Sequence, residues 1–114
     1  MDSYFERGIK LKGTLWVEGD AHFDADLEGQ VYCTGHFIVG KSGHVAGDVR
    51  SRDCSNMGKV KGNIFAENKV VLMKDSKVTG DISTYQLVVD EGSNFEGYCK
   101  MIDAPPELSI SPNG

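Results

Sequence analysis

A five-residue unit, apolar–x–Gly–x–apolar, recurs six times along this chain and constrains its fold more than any other feature. It reads Leu11-Lys12-Gly13-Thr14-Leu15, Leu27-Glu28-Gly29-Gln30-Val31, Val45-Ala46-Gly47-Asp48-Val49, Val60-Lys61-Gly62-Asn63-Ile64, Val78-Thr79-Gly80-Asp81-Ile82 and Phe95-Glu96-Gly97-Tyr98-Cys99. The central glycines Gly13, Gly29, Gly47, Gly62, Gly80 and Gly97 are separated by 16, 18, 15, 18 and 17 residues. A period near 17 is too short for a helix-containing repeat and too long for a hairpin. It matches the perimeter of one β-solenoid coil with three short faces.

The spacing inside the units supports strands. Phe37, Val39, Val45 and Val49 are separated by 2, 6 and 4 residues, and two later sets repeat that pattern: Val70, Leu72, Val78, Ile82 and Leu87, Val89, Phe95, Cys99. Even separations are what strands with alternating side chains produce. The second unit fits more weakly through Gly19, Ala21, Leu27 and Val31, and the fourth fits poorly because Arg52 would fall at an inward position. Each repeat glycine either points inward at a corner without room for a side chain or relaxes the backbone there. A helix over residues 63–79 is the competing reading, since Ile64, Phe65, Asn68, Val71, Leu72 and Asp75 partly follow helical spacing. That segment nevertheless superposes on its neighbours in the repeat, so strands are expected. The fold class is therefore all-β, a parallel β-solenoid of three faces and about six coils.

Composition narrows the function. Twelve basic residues against seventeen acidic ones give a formal charge of −5, and no run of Lys/Arg exceeds one residue. Nucleic-acid binding is therefore not expected. Three cysteines (Cys33, Cys54, Cys99) without a CxxC pair argue against a disulfide scaffold or zinc ribbon. Reduced thiols in a cytoplasmic protein are expected, with Cys33 and Cys54 as semi-buried packing residues. No apolar stretch approaches the ~20 residues of a membrane span, and the N-terminus has no secretory h-region.

Candidate chemistry is thin. His22, His36 and His44 fall at different offsets from their glycines and do not stack in one column, so no metal site is expected. His44 shares its column with Asp26, Lys59, Lys77 and Asn94. Asp24 and Asp26 form a carboxylate pair of the kind a carbohydrate-acting β-helix enzyme would use, but the chain lacks the long loops that build such clefts. Asp48 and Asp81, each following a glycine, fit a turn role. No P-loop, serine elbow or dinucleotide fingerprint occurs, and Thr14, Thr34, Thr79 and Thr84 form no ladder. No catalytic, cofactor-binding or metal-binding residue is assigned.

The opening Ile9-Lys10-Leu11-Lys12-Gly13, the three units around Gly47, Gly62 and Gly80, and the closing Glu91-Gly92-Ser93-Asn94-Phe95-Glu96-Gly97 resemble the bactofilin family over about residues 8–101. The resemblance implies a right-handed, three-faced parallel β-helix. It also implies nucleotide-independent assembly into nonpolar filaments, association with the inner face of the cytoplasmic membrane, and positioning of cell-wall enzymes or other clients. Paralogous bactofilins are further implied partners. Phe95 matches the family's last-coil phenylalanine, on which self-association depends; it also sits at an ordinary inward core position. Family members commonly carry an N-terminal tail with an apolar membrane-targeting segment; here Tyr4-Phe5 is the only apolar pair before the core, and it is the candidate membrane contact. The expected organisation is a tail over 1–8, a β-helical core over 9–103 and a proline-containing tail over 104–114.

A solenoid's ends lack a neighbour, and exposed coil edges template pairing with another chain. Leu87, Val89, Phe95, Cys99 and Met101 are expected to form a self-association surface at the C-terminal end. Leu11, Leu15, Trp16 and Val17 are expected to form another at the N-terminal end. The alternative is a monomeric or dimeric adaptor, with Pro105, Pro106, Leu108 and Ile110 covering one end and Tyr4, Phe5 and Ile9 the other.

Overall fold

The computed structural model describes residues 2–103. They form twelve strands: β1 (Asp2–Phe5), β2 (Lys10–Val17), β3 (Asp20–Phe23), β4 (Asp26–Cys33), β5 (His36–Val39), β6 (His44–Asn56), β7 (Lys59–Lys61), β8 (Ile64–Leu72), β9 (Lys77–Thr79), β10 (Ile82–Val89), β11 (Asn94–Glu96) and β12 (Cys99–Met101). Every pairing between them is parallel. The segment weighed as a helix is β8 and β9.

The pairings resolve into three stacks, each a face of the solenoid. Face 1 stacks the starts of β2, β4 and β6, then β7, β9 and β11. Face 2 stacks the remainder of β2 and β4, the middle of β6, the starts of β8 and β10, and β12. Face 3 stacks β1, β3, β5 and the ends of β6, β8 and β10. Six rungs per face at ~4.8 Å give a rod core spanning roughly 24 Å between its end rungs.

Alternation turns one column of side chains inward at each strand position. Leu11, Leu27, Val45, Val60, Val78 and Phe95 share one register column, and Leu15, Val31, Val49, Ile64, Ile82 and Cys99 the next. Phe5, Phe23 and Phe37 form an aromatic run inside, with ring centroids 5.5 and 5.7 Å apart. Middle-rung positions such as Phe37, Val45, Val70, Leu72 and Val78 are fully buried.

Three expectations need correction. Residues 2–5 are not a tail: β1 pairs with β3, placing Tyr4 beside His22 and Phe5 beside Phe23, because Phe5 supplies the same inward apolar position as its neighbours. The second unit turns in Ala21 and Phe23, which align with Phe37 and Val39, and not Gly19 and Ala21. The face 3–face 1 corner is shorter there. In the fourth unit Cys54 and Asn56, aligned with Phe37 and Val39, turn inward and Arg52 stays outside, because the step from Asn56 to Val60 is again only four residues. The one extra residue at the neighbouring corner lies in β8, where Ala66 to Lys69 spans three steps against two from Ser51 to Asp53.

The repeat glycines are required in a direction that spacing did not reveal. All six have φ between +114° and +148°. A Cβ on Gly29, Gly47, Gly62, Gly80 or Gly97 would meet the carbonyl oxygen of the preceding glycine in the column. The side-chain direction thus runs along the rod axis into the rung below, not into the core.

Candidate self-association surfaces

The two ends of the rod are where identical register positions change environment. Leu72 is fully buried, yet Val89, next in its column, is 52% exposed. Thr84 is fully buried, yet Met101 beside it is 55% exposed. Leu87 and Phe95 are half-buried and Cys99 is exposed. Only the missing next rung separates these residues from buried counterparts. All five positions anticipated at the C-terminal end lie together on the last rung. Val88 and Tyr98, exposed on the same rung, were not anticipated; both occupy outward positions that an inward-pattern search passes over.

At the N-terminal end Leu11 and Leu15 are half-buried and Phe5 packs beside them against the core. Val17 is buried, so it adds little open surface. Trp16 does not point inward. It projects from face 2 and stacks on Tyr32, with centroids 4.4 Å apart and planes 15° from parallel. One ring face is covered by Tyr32, leaving the other turned toward the N-terminal end. Tyr4 also projects outward, tilts over the His22 ring at 5.2 Å, and donates a hydrogen bond to Asp24 Oδ2 at 3.2 Å. That bond to a carboxylate raises the tyrosine pKa above its ordinary value. Tyr4 and Phe5 therefore do not form an exposed apolar pair: one is held by Asp24 and the other belongs to the interior. Residues 104–114, expected as a second tail, lie outside the described residues.

The polar residues singled out in the sequence take structural places. Asp48 Oδ1 accepts from the Asn63 amide at 3.2 Å, Asn63 Oδ1 from the Asp81 amide at 3.1 Å, and Asp81 Oδ1 from the Tyr98 amide at 3.2 Å. This staircase ties four rungs at the corner beside the glycines. His44 stacks with Lys10, Asp26, Lys59, Lys77 and Asn94 in one mixed column. His22 contacts Asp24 Oδ2 at 3.0 Å, and His36 contacts Ser55 Oγ at 2.7 Å. Among the described residues, no group of three or more His, Cys, Asp or Glu is placed to hold a metal. Cys54 is fully buried rather than semi-buried, and loss of hydration pushes its thiol up to about 12. No helix of the described residues is long and apolar enough to cross a membrane.

Among the described residues the chain is a parallel β-solenoid whose last coil leaves inward-column apolar positions exposed, which places it in the class of stacked-coil rods. The comparisons agree. The family model described as "Bactofilin: Polymer-forming cytoskeletal" matches residues 3–100, so the chain belongs to the bactofilins. It is 31% identical to bactofilin BacO of Myxococcus xanthus (strain DK1622) over 93 residues, covering 82% of this chain and 74% of the relative. To bactofilin BacP of the same organism it is 30% identical over 98 residues, 86% of this chain but only 41% of the relative. Among solved structures it matches a cryo-EM reconstruction of Thermus thermophilus bactofilin double helical filaments with a TM-score of 0.78 and 28% identity. That match covers 85% of this chain and 98% of the other. The family is a structural, polymer-forming one and not an enzyme family.

Proposed function

We propose that this chain assembles end to end into nonpolar filaments without nucleotide, and that the filament positions cell-envelope factors from the cytoplasmic side of the membrane. The observation that carries the assembly is the burial contrast between Leu72 and Val89, and between Thr84 and Met101, at identical register positions. Leaving an apolar side chain of this size exposed forfeits roughly 1.5–3 kcal/mol, and several are exposed together at the C-terminal end. Apolar burial of this kind needs no nucleotide hydrolysis. Each symmetric end contact uses one patch twice, and alternation of C-to-C and N-to-N contacts yields a filament without polarity. The Thermus thermophilus relative, described as forming double helical filaments, supports the same reading. Client enzymes, co-assembling paralogues and a place at the inner membrane face belong to the same proposed reading, which the family match supports.

Negative-stain imaging of nucleotide-free protein tests the assembly. Filaments are expected from the intact chain, and Phe95→Arg should abolish sedimentable polymer while leaving the β-rich circular dichroism unchanged. Filaments persisting in that variant would sink the end-contact mechanism. Flotation with anionic vesicles, using Tyr4→Ala as control, tests the membrane placement.

A further inference from the structure

We propose that the N-terminal ends of two copies meet about one particular twofold axis, which stacks Trp16 of each copy on Tyr4 of the other. This rests on the end-to-end assembly reading and names the surfaces that meet. The chain runs from β1 on face 3, along β2 over faces 1 and 2, to β3 on face 3 again. One turn thus climbs one rung, ~4.8 Å. Among the described residues the N-terminal end is therefore a ramp. It is lowest at β1 and drops by a full rung at the corner between faces 2 and 3. Two such ramps related by a twofold axis across the rod close without gap or overlap only if the axis runs through that step. The axis then leaves the rod through the middle of face 1. Any other azimuth opens a one-rung gap over part of the contact. Face 1 therefore meets face 1, and face 2 of each copy meets face 3 of the other.

The side chains fit this axis. Among the described strands β1 pairs only with β3 and β2 only with β4, so each keeps a free edge of the kind that templates strand pairing. On face 2, Trp16 points outward between inward Leu15 and Val17; on face 3, Tyr4 points outward beside inward Phe5. The axis makes the facing strands antiparallel. Trp16 opposite Tyr4 then sets Leu15 opposite Phe5, both half-buried at the end rung. The two rings are prepared alike: Tyr32 covers one face of Trp16, and His22 lies against one face of Tyr4. Both stay open toward the N-terminal end, at 73% and 61% exposure. Stacking along the rod already occurs further up the same outward column, where the Arg50 guanidinium carbon lies 4.7 Å from the Phe65 ring centroid. Leu11 falls on the axis and meets Leu11 of the other copy. Lys10 then faces Lys12 of the other copy, a repulsion eased by Asp26 in register with Lys10 and by Glu28, 3.6 Å from Lys12.

Cysteine pairs test the register. In the full-length chain with Cys99→Ser, only the buried Cys33 and Cys54 remain; Trp16→Cys and Tyr4→Cys are introduced in separate preparations. Directly opposed positions bring Cβ atoms to within ~5 Å, near the reach of a disulfide. Mixed as dilute monomers, left to associate and oxidised with diamide, the two should give about tenfold more covalent dimer than either alone. Dimers formed by the Trp16→Cys chain alone overturn the proposal, because they put the axis on face 2. A second measurement keeps both rings. With Val89→Lys and Met101→Lys closing the C-terminal end, Trp16, the only tryptophan, should lose about half its acrylamide quenching as dimers form. Tyr4→Ala should weaken that dimer about tenfold. Dimers with unchanged quenching, or without the mixed cross-link, overturn this arrangement alone. Monomers at every concentration in light scattering overturn the assembly reading and this one together.

Discussion

At the residue scale the glycine column sets the tightest requirement. Gly47 has φ +144°, and a Cβ there would run into the Gly29 carbonyl oxygen. Backbone cannot yield as a flexible side chain can. Gly47→Ala is expected to destabilise the rod by more than ~3 kcal/mol in urea denaturation, combining clash with conformational strain. Gly13 is the informative control: its φ is +114°, but no atom lies within 4 Å of its Cβ position. Gly13→Ala should cost only the backbone strain, about 1–3 kcal/mol.

Cys54 gives a pH prediction at the same scale. Burial pushes its thiol up to about 12, well above the ordinary value of 9.0. The folded state therefore holds the thiol proton more tightly than the unfolded state. Stability is unaffected below pH 9 and falls as pH rises from 9 toward 12, by about 1.4 kcal/mol per pH unit. Urea midpoints between pH 8 and 10.5 should fall more steeply for the intact chain than for Cys54→Ala. The native thiol should also resist an aqueous disulfide reagent to which exposed Cys99 responds.

At the element scale the corners distinguish what the pattern revealed from what it hid. The units around Gly47 and Gly80 were legible because their inward residues keep even spacing. The fourth unit was not. Its inward residues Cys54, Asn56, Val60 and Ile64 are evenly spaced too, but the corner before Val60 is two residues shorter, so the 2, 6, 4 template falls on Arg52. The loss of the first rung has a similar origin: β1 contributes one clear apolar residue, Phe5, too little for periodicity to register. The Asx staircase through Asp48, Asn63, Asp81 and the Tyr98 amide is an element-scale device, joining rungs that share no sequence proximity. Asn63→Ala keeps the Asn63 amide bond to Asp48 but strips the Asp81 amide of its acceptor. It should cost about 1 kcal/mol, since the site is solvent-exposed, and accelerate hydrogen exchange at the Asp81 amide.

For the whole molecule, the question is which ends meet. Val89→Lys with Met101→Lys places two charges on the C-terminal rung, where both side chains are more than half exposed in the single molecule. Folding should survive, because neither side chain fills the middle of the core. If filaments alternate C-to-C and N-to-N contacts, removing one type leaves the other, and light scattering should report discrete dimers. A head-to-tail polymer would instead yield monomers, because each of its contacts uses a C-terminal end.

The sequence alone determined the solenoid, because a period near 17 with an obligatory small residue per coil admits few other packings. It also located most of the C-terminal patch, since those residues continue an inward pattern that simply stops. Tertiary structure alone decided the outward side. Trp16, Tyr32, Arg50 and Phe65 are each separated by 15 or more residues in sequence, and only stacking of parallel rungs brings them into one column. It likewise decided why the corners must be glycine. The forbidden Cβ points at a neighbouring coil's carbonyl, a contact that exists only once the coils have stacked.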